Sequence, residues 1–201
     1  MPESWYPWAA AEPGPNWKTG AGDGRTVRDN KGAVLHSAEG YLEGAVSVLH
    51  GPRQASWHFT LCQDGRVFQH YPLEAITWHA GAANDDYVGI EHEGVAGQPL
   101  TPPQIEAGVN LLKWIALQDD WPAFERSVTL FEHNEFMATS CPSGRIPWDV
   151  LIGRLVGPPA PPRNAQLSGL IAALFVVSVD HPLSDLAPQD REAVRYVASL
   201  L

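Results

Sequence analysis

The stretch that most limits what this chain can fold into is residues 55–71, ASWHFTLCQDGRVFQHY. Two runs of alternating character flank Asp64-Gly65, a pair favoured in tight β-hairpin turns. The hairpin must belong to a sheet, and the neighbouring sequence supplies its other strands. GAVLHSAEG (32–40) reads as a short buried strand ending at His36, and YLEGAVSVLH after it carries apolar residues at helical spacing. YVGIEHEG (87–94) and VTLFEH (128–133) read as further strands. Thr101-Pro102-Pro103 opens a helix, with threonine as cap and proline in the first turn. Its stripe of Ile105, Val109, Leu112, Ile115 and Ala116 fits one apolar face. Pro147 opens a last helix, WDVLIGRLV. Strands interleaved with helices predict an α/β fold, a central mixed β-sheet flanked by α-helices.

Composition breaks at GPPAPPRN (157–164), whose prolines favour a stiff linker. The expected organisation is a body over 1–156, the linker over 157–164 and a short helical C-terminal extension over 165–201. The extension reads as helices packed on each other or on the body, or as a targeting module. The chain has 201 residues, 44% hydrophobic and 18% charged, which are globular values. Its formal net charge of -10 gives no electrostatic reason to bind nucleic acid or an anionic membrane. MPESWYPWAA has neither a basic run nor an apolar core, so no signal peptide is expected, and the apolar run 167–179 is too short to span a bilayer. Eight tryptophans serve either core packing or a groove that stacks on sugars or peptides. Cys62 and Cys141 are too few for a disulfide framework, and a reduced pair is the expectation.

A lone histidine is more often structure or solvated surface than a ligand. His50, His70 and His181 have no supporting context, and His58 and His92 read as structural. His36 and His133 differ because each ends an apolar strand, where a fold presents side chains at the rim of a sheet. Cys141 follows in a proline-glycine turn, TSCPSG, that can fold the thiol back to that rim. Two imidazoles and a thiolate suit zinc, and three protein ligands leave a position open, as catalytic sites do.

The blocks VLHSAEG, SWHFTLCQDGRVFQHYP, TWHAGAAND, VGIEHEG and EHNEFMATSCPSG, in this order and spacing, resemble the zinc-dependent N-acetylmuramoyl-L-alanine amidases. That family includes phage endolysins, anhydromuropeptide amidases and peptidoglycan recognition proteins, and the likeness covers about residues 28–156. The resemblance implies Zn2+ on His36, His133 and Cys141, and Glu91 as the proton-transferring carboxylate. It places His79 beside the substrate, and Trp57, Trp78 and Asn84 along the groove. It puts Thr139 where some members carry a lysine, and Trp57 where many carry tyrosine, which places more weight on Glu91.

The expected activity is hydrolysis of the amide between N-acetylmuramic acid and L-alanine, with peptidoglycan as partner and a monomeric enzyme. Without a signal peptide, the chain would wait in the cytoplasm and act on the cell wall on release, as a phage or prophage endolysin does. A cytoplasmic muropeptide-recycling amidase and a non-catalytic peptidoglycan-binding module are the alternatives.

Overall fold

The computed structural model of the protein describes residues 4–20 and 24–157. The proline-rich stretch beyond Gly157, and the extension expected over 165–201, lie outside the described residues. In chain order the strands are β1 (Ala10–Ala11), β2 (Thr19–Gly20), β3 (Gly32–Ser37), β4 (Phe59–Leu61), β5 (Val67–Gln69), β6 (Ile76–Thr77), β7 (Tyr87–His92) and β8 (Leu130–Glu132). The helices are α1 (Leu42–His50), α2 (Pro102–Asp119) and α3 (Trp148–Leu155). Among the described residues six strands form one sheet in the order β1-β5-β4-β7-β3-β8, and β2 pairs with β6. The β4–β5 pair is antiparallel, while β4–β7, β7–β3 and β3–β8 are parallel. The sheet is therefore mixed, as the sequence predicts.

Alternation along each strand assigns its two faces. Ala33 and Leu35 of β3, Phe59 and Leu61 of β4, Val88 and Ile90 of β7, and Leu130 of β8 join one apolar cluster. Val109, Leu111, Leu112 and Ile115 of α2, with Leu151 and Leu155 of α3, complete it. Each such leucine or isoleucine contributes about 1.5–3 kcal/mol by leaving water. Helix α2 starts where its cap dictates. Thr101 Oγ1 accepts from Gln104 N (3.2 Å), and Gln104 Oε1 accepts in return from Thr101 N (3.4 Å). The opposite sheet face carries Val34, packed with Ala80 and Ala83. Near it, Ala45 and Leu49 of α1 pack on Trp57 and Tyr71. Lys18 ties the N-terminal segment to this layer. It is fully buried, and its Nζ donates to the Val48 carbonyl at the end of α1 (2.6 Å). A cation there also suits the helix dipole.

Two local expectations change. The 55–71 hairpin turns at Asp64-Gly65, but through a three-residue loop rather than a two-residue one centred on the pair. Cys62 N donates to Arg66 O (2.9 Å) and Gly65 N to Cys62 O (3.0 Å), so the turn begins at Cys62. Gly65 closes it with φ +89°, the left-handed position of a glycine bulge. Cys62 accordingly lies just past β4 rather than within a strand. The strand expected over 128–133 shortens to Leu130–Glu132, with Val128 exposed.

Candidate active site

Register and alternation together build the site. In β3 and β7, His36 pairs with Glu91, and in β4 Thr60 pairs with Glu91. In β8, Glu132 pairs with Leu35, so His133 falls level with His36 one residue later. His133, His36, Glu91 and Thr60 thus form one row on the face away from α2. The row lies at the carboxyl ends of the parallel strands, where open α/β sheets usually bind ligands.

The turn from His133 to Cys141 closes back on the row. Met137 N donates to His133 O (3.1 Å), Asn134 N to Cys141 O (3.0 Å), and Cys141 N to Thr139 Oγ1 (3.2 Å). The returning thiol sits 3.9 Å from His36 Nδ1 and accepts from Ser37 N (3.2 Å). One donor atom from each of His36, His133 and Cys141 lies within 4.8 Å of the others, a set that could hold a metal ion. The His36 and His133 ring centroids are 4.5 Å apart, and His133 Nε2 lies 3.3 Å from Met137 Sδ. Burial pushes the Cys141 thiol up to about 12 and holds His36 well below the usual imidazole range.

Glu91 is the other feature of the row. Its Oε2 is buried with no hydrogen-bond partner among the described residues. Burial pushes its carboxyl up to about 8, opposed by the positive charge of Arg145. The row opens into a groove of about 780 Å³ lined by Trp57, Trp78, Asn84, Thr139 and Arg53, among others. Trp57 spends its indole N–H on Thr60 Oγ1 (2.8 Å), so it offers the groove apolar surface rather than a donor. Asn84 Oδ1 accepts from His79 N (3.0 Å) and Ala80 N (2.7 Å), bracing that loop. His79 is buried, with Nδ1 3.0 Å from His36 Nε2 and Nε2 3.1 Å from the Tyr87 carbonyl. Thr139 is exposed at the rim, and its hydroxyl hydrogen remains available for donation.

Sequence reasoning missed Arg145. It is 5% exposed and donates to Ser37 Oγ (2.8 Å), His92 O (3.0 Å), Glu93 O (2.7 Å) and Gln98 O (2.8 Å). These bonds fasten the turn bearing Cys141 to the ends of β3 and β7. Glu39 completes the brace with φ 48°, accepting from Ser37 Oγ (2.8 Å) and Ala96 N (2.9 Å). The available signal was a single arginine inside the otherwise uncharged run ATSCPSGRIPW.

Comparison with known proteins places this architecture. The sequence model described as N-acetylmuramoyl-L-alanine amidase matches residues 26–144, and the chain belongs to that family. The fold is similar to that of the endolysin N-acetylmuramoyl-L-alanine amidase LysCS from Clostridium intestinale URNW. That match has 19% identity and a TM-score of 0.58, covering 76% of this chain and 97% of that one. It is similar as well to a selenomethionine derivative of AmpD, with 20% identity, a TM-score of 0.62, and 77% and 98% of the two chains covered. The catalytic domain of XlyA matches with 19% identity and a TM-score of 0.57 over 73% and 98% of the chains. No curated protein sequence matches. Among the described residues no helix is long and apolar enough to cross a membrane.

Proposed function

We propose that this family member is a zinc-dependent enzyme that cleaves the N-acetylmuramoyl–L-alanine amide of intact cell-wall peptidoglycan, in the lytic manner of an endolysin. The observation that carries the reading is the convergence of His36, His133 and Cys141 donors beside the unpartnered carboxylate oxygen of Glu91. The donor set fits zinc, since two nitrogens and one sulfur make a tetrahedral triad with one position left open. The 3.9 Å between His36 Nδ1 and the thiol is close to the edge of such a tetrahedron. A zinc ion held there would supply a Lewis acid that polarises the scissile carbonyl and lowers the pKa of a bound water from about 15.7 towards about 7.

The chain's own groups do the rest. Glu91 accepts the proton of the attacking water and returns it to the departing L-alanine nitrogen. Burial raises the proton affinity of Glu91. The charge of a cation on the neighbouring donors would draw it back towards the range where a carboxyl can both take and return a proton near neutral pH. The Thr139 hydroxyl at the rim donates to the developing oxyanion without adding charge. Trp57 and Trp78 give the groove apolar walls on which sugar and peptide can lie. Ser37 N–H and the Arg145 brace hold the thiol in place. The expected organisation, with the catalytic body ending near residue 156 and the extension serving another role, is part of this proposal.

The test combines metal content with product analysis. Purified protein is expected to carry about one zinc per chain, and digestion of intact sacculi should expose new L-alanine N-termini by mass spectrometry. Zinc-free protein, or hydrolysis indifferent to a chelator, overturns the reading. Turnover of soluble muropeptides but not sacculi would assign the recycling role instead. Cell-wall binding unchanged by Cys141→Ala in a chain with no hydrolytic activity would assign a binding module.

A further inference from the structure

We propose that His79 is a positioning residue that fixes the tautomer of His36, leaving Nδ1 of His36 as the bare nitrogen that faces Cys141. The inference rests on the metal-site reading above and adds how one of its donors is prepared.

Two contacts of the His79 ring decide the matter. His79 Nε2 lies 3.1 Å from the Tyr87 carbonyl oxygen, and a carbonyl only accepts. His79 Nε2 must therefore carry its hydrogen. The neutral ring then has a lone pair at Nδ1, which sits 3.0 Å from His36 Nε2. His36 Nε2 must in turn carry the hydrogen of that contact, and the lone pair of His36 is left on Nδ1. This nitrogen is the one 3.9 Å from the Cys141 thiol. The reverse assignment would set a lone pair of His79 against the lone pairs of the Tyr87 carbonyl.

The surroundings hold this relay in register. The rings meet nearly edge to face, with centroids 5.1 Å apart and planes at 82°. A side chain on Gly89 would place its Cβ 2.7 Å from the His79 ring, so that glycine leaves room for the ring above β7. The Asn84 carbonyl oxygen grips the His79 and Ala80 backbone amides. From the far side, His92 Nδ1 lies 2.9 Å from the His36 carbonyl and donates to it. Both ring nitrogens of His79 are engaged within the protein, so the ring reaches the groove with neither nitrogen free to donate to a substrate.

Metal-ligating histidines commonly have their second nitrogen fixed by such a partner, whose loss costs about 10–100-fold in metal affinity. The decisive measurement is made on metal-free, full-length protein by nitrogen-15 and carbon-13 NMR of the imidazoles. His36 is expected as the Nε2–H tautomer in the parent. His79→Leu should let the other tautomer of His36 appear and weaken zinc binding, by chelator competition, about 10–100-fold. His79→Asn keeps a carbonyl oxygen where Nδ1 stood and should restore most of both. An Nδ1–H tautomer at His36 in the parent overturns the proposal, as do unchanged tautomer and affinity in His79→Leu. If that variant does not fold, the parent tautomer and the Asn variant still decide. The tautomer readout uses no metal, so its failure is distinct from a failure to bind zinc at all.

Discussion

Strand β3 carries a buried polar cluster at each end, and the two differ in whether they open to solvent. At the amino end, Asn30 is 3% exposed. The two hydrogens of its Nδ2 are shared among Val27 O (2.9 Å), Leu73 O (3.1 Å) and Asp119 Oδ1 (3.3 Å). Its Oδ1 accepts from Arg25, and its carbonyl accepts the Trp121 indole N–H (3.2 Å). That end is sealed beneath the close of α2 and ties loops to the sheet, with Asp119 Oδ2 and Arg25 Nε buried there without a hydrogen-bond partner among the described residues. At the carboxyl end, His36 meets His79, Cys141, His133 and Glu91, and the remaining lone pairs face a groove. A polar cluster shut off from solvent serves the fold, whereas one whose donors and acceptors face a groove has work left for a ligand.

The largest effect should come from Glu91→Gln at the open end. Hydrolysis should fall about 10²–10⁴-fold, with zinc content retained. Stability should not fall with it. The folded-state carboxyl is raised to about 8 by burial, so its contribution is full below about 4.5 and lost as pH rises through about 8. Glutamine removes that loss, and thermal unfolding above pH 8 should show Glu91→Gln at least as stable as the parent. Activity and stability falling together would break the contrast between the two ends.

Next in size is Asn30→Ala at the closed end. It removes the side-chain donor to Leu73 O and Asp119 Oδ1 and one acceptor of Arg25, and should cost about 1–3 kcal/mol in urea unfolding. The kcat of the folded fraction should stay unchanged. Asp119→Asn sharpens the same point. Burial raises Asp119 to about 8, with Asn30 opposing, so the parent should lose stability as pH rises from about 4 through about 8. The asparagine variant should show a flatter stability–pH profile over that window. The smallest change is expected one residue away. Lys31→Ala removes an exposed ion pair with Asp86 (2.9 Å) and should leave both thermal stability and activity close to those of the parent.

These two ends were unequally legible in the sequence. The strands bearing His36 and Glu91 announce themselves by short apolar runs, and parallel pairing sets the two side by side with no further information. The open end was therefore readable, helped by the ordered blocks that the family shares. The closed end was not, because Asn30 and Asp119 lie far apart in the chain and meet only through the packing of α2 against the segment before β3. Arg145 escaped for the same reason, since three of its four partners are backbone carbonyls that carry no side-chain signature and the fourth is the common hydroxyl of Ser37. The His79 relay needed the position of the Tyr87 carbonyl, which depends on the course of a loop. The glycine-closed hairpin shows a smaller failure of the same type, where the residue pair was recognised but its place in the turn was not.

The three-residue β8 is the edge strand of its sheet, and the donors of His133 and Cys141 hang from its end while His36 stands on the neighbouring central strand. A cation shared among them would join chain positions separated by about a hundred residues, closing a loop as a long-range cross-link does. That edge strand would then be held more firmly as free metal rises above its dissociation constant, with the logarithm of their ratio. Metal availability would set not only whether the groove can work but how often that edge of the sheet opens.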